Sequence, residues 1–177
     1  MSGSAPSSRR AWGWHPLRAE WAHRIVAAAE VRPGDLVLDL GAGHGALTGP
    51  LLEAGARVVA VELHPRRAAL LRQRFAERDV RLVRCDLREV RLPGRPFRVV
   101  ASPPYQVSTD VVRLLLGSDR LLSADLVLER GTVRRMVERP PRARHARRYT
   151  LGAGLPVPRQ AFRPPPRVDS RVLRIRR

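Results

Sequence analysis

At 177 residues the chain is long enough for one domain with a real core, one that removes roughly 70% of the unfolded chain's surface from water. No apolar run approaches the roughly 20 residues a membrane helix needs, and the opening MSGSAPSSRRAWGW has no apolar stretch of the kind that drives secretion, so the expectation is a soluble, cytoplasmic protein with no membrane partner. The 34 basic residues, all of them Arg, against 16 acidic ones give +18, which makes a polyanion the natural partner and argues against a basic protein substrate.

The absence of Lys and Asn, with much Ala, Arg, Gly, Pro and Val, reads as high-GC codon bias; that explains Arg in place of Lys but not the excess of Arg over acids. In chain order, residues 1–16 form a basic N-terminal segment carrying Arg9 and Arg10. Leu17, Trp21, Ile25 and Ala28 then fall at helical spacing and predict a covering helix over 17–30. Leu36 to Leu40 is an apolar strand running into Gly41-Ala42-Gly43-His44-Gly45, with a helix expected from Ala46 to Ala54 and closed by Gly55. Arg57 to Val61 is a β-branched run, and Pro65 is well placed to open a helix that reaches about Glu77.

Further strands are expected at 80–84, 97–101 and 124–128, and further helices at 107–116 and 132–138. Cys85, the single cysteine, cannot form an internal disulfide and reads as a small hydrophobe beside Asp86. Residues 139–148, RPPRARHARR, hold Arg139, Arg142, Arg144, Arg147 and Arg148 without an acid, and their prolines argue for an exposed basic loop. Residues 168–175 alternate like a half-exposed strand. The strand and helix alternation predicts an α/β fold with a largely parallel sheet and no second domain.

Two stretches carry chemistry. Gly41-Ala42-Gly43 after a strand brings backbone N–H groups close to a ligand, since glycine has no Cβ to block the approach. With Glu62 ending the second strand, it fits the ribose of either a nicotinamide or an S-adenosylmethionine enzyme. Asp39, just before the loop, suits a cationic amine, and Asp86 is placed to accept from an adenine amino group or to cap a helix. Ser102-Pro103-Pro104-Tyr105 then ends the fourth strand. Consecutive prolines fix φ and remove donors, which leaves a row of acceptors. A polar side chain and the Pro103 carbonyl can accept both hydrogens of a base's exocyclic amine and free its lone pair, while Tyr105 offers a stacking face.

LDLGAGHGALT, VVAVELHP, RCDLREVRLP, VVASPPYQVST and AFRPPPRVDSRV, in that order, resemble the ribosomal RNA adenine N6-methyltransferases, and within them the short Erm macrolide-resistance enzymes. The resemblance runs from about Arg10 to Arg177. It implies a Rossmann-like class I methyltransferase fold with a mostly parallel seven-stranded sheet and helices on both faces. Residues 17–177 would form the catalytic domain, with no C-terminal helical domain. The cofactor would be S-adenosyl-L-methionine, held by His15, Leu17, Asp39, Gly41, Ala42, Gly43, Glu62, Leu63, Asp86, Leu87 and Ser102, with no metal. Ser102, Pro103, Pro104 and Tyr105 would hold the target adenine, and Phe162 would pack on it.

Ser102 stands where the family usually has Asn or Asp, and Trp14-His15-Pro16-Leu17 replaces the usual Gln-Asn-Phe-Leu. Without a helical lobe, Arg9, Arg10, the arginines of 139–148, Arg163 and Arg167 would supply phosphate contacts to 23S ribosomal RNA or a large-subunit precursor, the protein acting as a monomer. The rival readings are a methyltransferase on another amine and an RNA-binding or ribosome-binding module without turnover.

Overall fold

The computed structural model describes residues 15–177, so Arg9, Arg10 and most of the basic N-terminal segment lie outside the described residues. Helix α1 (Ala19–Ala28) precedes a regular alternation of β1 (Leu36–Leu40), α2 (Thr48–Glu53), β2 (Arg57–Val61), α3 (Pro65–Arg74) and β3 (Val80–Val83). The chain continues through β4 (Phe97–Ala101), α4 (Ser108–Leu116), β5 (Leu121–Glu129), α5 (Arg130–Glu138), β6 (Thr150–Val157) and β7 (Ser170–Arg176). The strands form one sheet in the order β3-β2-β1-β4-β5-β7-β6. The first five run parallel, and β7 enters antiparallel to both β5 and β6.

Strand side chains alternate between two buried layers. On β1, Val37 joins Ile25 of α1, Leu51 of α2 and Leu71 of α3, whereas Leu38 and Leu40 join Val111 and Leu115 of α4 and Met136 of α5. Helices therefore cover both faces, and strands buried on both sides read as continuous apolar runs instead of alternating ones. Among the described residues no helix is long and apolar enough to cross a membrane.

The structure adds one strand that periodicity did not locate. β6, TLGAGLPV, carries two glycines and a proline, which weaken any strand signal; it lies at the sheet edge, where such residues are tolerated, and its register slips between Ala153 and Pro156. A Cβ at Gly154 would lie 2.8 Å from Arg174 Cγ, so any larger residue there would displace the Arg174 side chain that crosses it from β7. α2 begins at Thr48, not Ala46, because the residues before it form turns, with Gly45 N–H donating to the Ala42 carbonyl. Elsewhere element bounds move by at most a few residues, as fraying ends do. Residues 139–148 form irregular chain that ends in a short 3-10 turn, Ala146–Arg148, in place of a regular element.

Candidate active site

Because β1 to β4 run parallel, their carboxyl ends bring Gly41, Glu62, Asp86 and Ser102 to one edge of the sheet, where open α/β sheets hold ligands. A cavity of about 360 Å³ lies there, within the range of small-molecule sites. Its walls include His15, Leu17, Asp39, Gly41, Ala42, Glu62, Leu63, Asp86, Leu87 and the whole of Ser102-Pro103-Pro104-Tyr105, with Phe162. Two stretches some sixty residues apart thus close on a single space.

The glycine loop works differently from the sequence expectation. Gly41 and Ala42 N–H both donate to the Val61 carbonyl, at 2.8 and 2.9 Å, and Gly43 N–H donates to Glu62 Oε2 at 2.8 Å. These amides are spent inside the protein, so the loop offers close approach and not a ring of donors. Gly41 adopts φ +81°, and a Cβ on it would lie 3.1 Å from the Pro104 ring and 3.2 Å from the Pro103 Cα. Glycine is what lets the Pro-Pro row close against the loop. Gly43 does not line the cavity; its part is to hold the Glu62 carboxylate.

Glu62 is buried and crowded with donors. Besides Gly43, its Oε1 accepts from His64 N–H at 2.8 Å and from Arg67 Nε and Nη2 at 3.1 and 3.0 Å. A carboxylate has about four lone-pair directions, so the group is held in one orientation. Arg67 was not singled out from the sequence. Its signal is the Pro65 helix start, which puts Arg67 in the first turn of α3, close behind the strand end that carries Glu62. His44, also on the wall, is kept toward its neutral form, chiefly by burial and then by the charge of Arg67.

Asp39 is buried and accepts from Thr48, through the hydroxyl at 2.7 Å and through the backbone N–H. Loss of water pushes its pKa up to about 7, the Thr48 bonds opposing the rise and the Glu62 charge adding to it. A cationic amine entering beside it would restore the carboxylate. Asp86 does not cap a helix: its Oδ1 accepts Arg88 N–H at 2.9 Å in a turn, and its Oδ2 pairs with Arg88, which also reaches Asp110. Buried carboxylates on a half-apolar wall fit an amine-bearing, cationic nucleoside such as S-adenosylmethionine better than a pyrophosphate.

The outer wall is a zip between the start and end of the described chain. Arg18 N–H donates to the Ala161 carbonyl at 2.8 Å, Arg163 N–H donates to the Pro16 carbonyl at 3.0 Å, and Leu17 bridges to Phe162. His15 Nδ1–H donates to the Pro164 carbonyl at 3.1 Å, and its ring stacks toward Tyr105 with centroids 6.4 Å apart. Tyr105 shares a 2.7 Å hydrogen bond with Ser170, and burial holds its phenol above the ordinary pKa. Phe162 is 1% exposed and belongs to the core under α1 while still facing the cavity, so it serves packing and wall together. The Ser102 hydroxyl has no partner among the described residues, which leaves an acceptor open at the mouth. Among the same residues no cluster of His, Cys, Asp and Glu is suited to a metal ion.

The arginines divide. Arg163, next to Phe162, and Arg167, shortly before β7 begins opposite Glu129, are exposed at the cavity end. The 139–148 loop is not brought there: His145 N–H donates to the Leu116 carbonyl at the far end of α4, and Tyr149 OH donates to Ser118 and Leu121, where β5 begins.

The sequence profile of the ribosomal RNA adenine dimethylases matches residues 18–177. The chain belongs to that family. The ribosomal RNA small subunit methyltransferase A of Cupriavidus metallidurans is 35% identical over 165 residues, covering 86% of this chain and 59% of its own length. That of Thermosynechococcus vestitus is 36% identical, over 96% and 69%. Among solved structures, the 23S rRNA methyltransferase ErmE superposes with a TM-score of 0.81 at 29% identity, over 92% of this chain and 69% of that one. The fold is that of class I S-adenosylmethionine-dependent methyltransferases. The chain spans about three fifths of the length of the Cupriavidus relative.

Proposed function

We propose that residues 17–177 form the catalytic domain of an S-adenosylmethionine-dependent methyltransferase acting on the N6 amino group of an adenine in ribosomal RNA. The observation that carries this reading is the closure of the glycine loop on the Pro-Pro row, with the Gly41 Cα packed against Pro103 and Pro104 at the wall of one cavity. Donor and acceptor halves of a transfer site are then held at van der Waals distance by the backbone itself.

When bound, S-adenosylmethionine supplies a methyl group on a positively charged sulfur. The chain does the rest. Glu62, fixed by Gly43, His64 and Arg67, would hold the ribose, and Asp39 would hold the amine. The Asp86 carboxylate keeps acceptor capacity beyond the Arg88 contacts for the donor's adenine. The target adenine's N6 hydrogens are accepted by Ser102 Oγ and the Pro103 carbonyl, which directs the nitrogen lone pair away from the ring. His15, Leu17 and Leu63 close the donor's side, and Tyr105 and Phe162 wall the base. The proton lost from N6 passes to solvent, since a methylated ammonium is acidic and needs no strong base.

For the RNA, our first reading is 23S, which would bring macrolide, lincosamide and streptogramin B resistance. It is supported by the likeness to ErmE. A second reading, 16S, is favoured by the small-subunit methyltransferase names of the Cupriavidus and Thermosynechococcus relatives. The deciding experiment offers labelled S-adenosylmethionine with 23S RNA, 16S RNA and subunit precursors in parallel, followed by nucleoside analysis. Labelled N6-methyladenosine or N6,N6-dimethyladenosine in one RNA supports the activity and picks its substrate. Donor binding without transfer to any of them would turn the reading toward a binding module or another amine.

A further inference from the structure

The arginine loop sits at the wrong end of the molecule to serve the cavity, and it is built for a charged partner. Arg139, Arg142, Arg144, Arg147 and Arg148 are all exposed, and among the described residues none of their guanidinium groups is in an ion pair or hydrogen bond. The loop backbone is nonetheless anchored, through His145 N–H to Leu116 and through the buried Tyr149 to Ser118 and Leu121. Exposed Arg113 and Arg177 lie at the same pole, where α4 and β7 end. The nearby acids are already engaged, Asp119 with Arg120 at 3.6 Å and Glu138 with Arg134 at 3.9 Å.

This pole is separated from the cavity by the length of β5. Nine residues of strand, Leu121–Glu129, span about 25–30 Å at ~3.3 Å per residue. A single flipped nucleotide cannot touch both ends, whereas a helical stretch of RNA can. Guanidinium groups match phosphate oxygens in pairs, and the stretch RPPRARHARR exposes no large apolar side chain that a protein interface would need.

We propose that the 139–148 loop is a second, non-catalytic docking surface for the phosphate backbone of duplex RNA, which grips the substrate about 25–30 Å from the reacting base. This deepens the ribosomal RNA reading and rests on it. Two weak contacts on one rigid body bind a ligand long enough to reach both far more tightly than either alone. The surface therefore acts as a ruler, favouring target adenines that have a duplex arm on the proper side.

The test is the length dependence of affinity. Fluorescence anisotropy compares a duplex of about 16 bp carrying an unpaired adenine near one end with one of about 6 bp carrying the same adenine. The parent is expected to bind the long duplex at least about ten-fold tighter than the short one, with a steep fall as salt rises. A variant with Arg139→Gln, Arg142→Gln, Arg144→Gln, Arg147→Gln and Arg148→Gln should shrink that ratio to less than about three-fold and flatten the salt slope. A control with Arg66→Gln, Arg72→Gln, Arg78→Gln, Arg81→Gln and Arg84→Gln loses the same charge from the α3 and β3 side and should keep the parent's ratio.

If the loop variant keeps the parent's ratio, or the control loses it equally, the second surface is overturned. Donor affinity measured by calorimetry on each variant reports an intact fold, and a triple variant, Arg142→Gln with Arg144→Gln and Arg147→Gln, repeats the comparison should the fivefold one not fold. Methyl transfer is scored separately. A parent that shows the length effect without transfer would end the catalytic reading and leave the docking surface standing.

Discussion

Gly41 and Pro104, 63 positions apart in sequence, meet so closely that a single methyl group on Gly41 would lie 3.1 Å from the proline ring. With φ at +81°, Gly41→Ala also meets backbone strain of about 1–2 kcal/mol. The substitution is expected to lower the melting temperature and to weaken donor binding at least ten-fold. Thermal unfolding and calorimetry on the same preparation check both.

Asp39 predicts a pH signature. Its folded pKa, raised to about 7 from 3.8, means the folded state holds the proton more tightly than the unfolded chain. That contribution to stability is fully present below about pH 3.8 and is lost as pH rises through 7. Asp39→Asn keeps an oxygen for Thr48 and removes the titration, so its stability relative to the parent should improve between pH 5 and pH 8. Donor binding by the parent near pH 6 should release protons, visible in buffers of different ionisation enthalpy, and the Asn variant should release none from this site.

The four donors around Glu62 forecast an asymmetry between two conservative changes. Glu62→Gln offers one oxygen and an NH2 group to donors that all need acceptors, so it should cost about 1–3 kcal/mol of stability and most donor affinity. Arg67→Gln leaves the Gly43 and His64 contacts in place and should cost only a few-fold in affinity. Equal losses in the two variants would mean that Arg67 alone orients the carboxylate.

At the acceptor row, Ser102→Ala is expected to reduce turnover while leaving donor affinity within about two-fold, since the hydroxyl has no partner among the described residues to lose. Single-turnover methyl transfer with saturating RNA isolates the step. An unchanged rate would remove Ser102 from the chemistry and leave Pro103 as the acceptor.

Tyr105→Phe should lose about 0.5–1.5 kcal/mol with the Ser170 hydrogen bond and keep transfer, because the ring survives. Tyr105→Ala should lose transfer as well. If the Phe variant were as inactive as the Ala variant, the hydroxyl and not the ring would be the working part.

Much of this was legible in the sequence because parallel strands and glycine loops carry local signals. The runs 36–40, 57–61 and 97–101 coincide with strands, since continuous burial on both faces writes continuous apolar runs. Asp39, Glu62, Asp86 and Ser102 were visible because each stands at a strand end. β6 was not visible, as its strand character comes from β7 beside it and not from its own residues. The spent amides of the glycine loop could not be read either, because their acceptors, Val61 and Glu62, lie on another strand. Arg67 was hidden among so many arginines, since composition cannot say which guanidinium turns inward, and the pairing of exposed Arg88 with Asp86 and Asp110 was equally unmarked. Nor could it say that the 139–148 loop belongs to the opposite pole, a matter of where α5 ends.

The place of β7 between β5 and β6 sets a timetable for synthesis. β6 leaves the ribosome first yet has no strand to pair with until Ser170 to Arg176 follow, and β5 waits with one open edge for the same residues. The wall made by Leu17 and Phe162 waits similarly, its two halves lying 145 positions apart. Pairings so distant make for slow closure of the sheet. A nascent chain therefore has β1 to β4 and a glycine loop long before Phe162 arrives to meet Leu17, so the outer wall of the cavity is the last part of the site to be put in place.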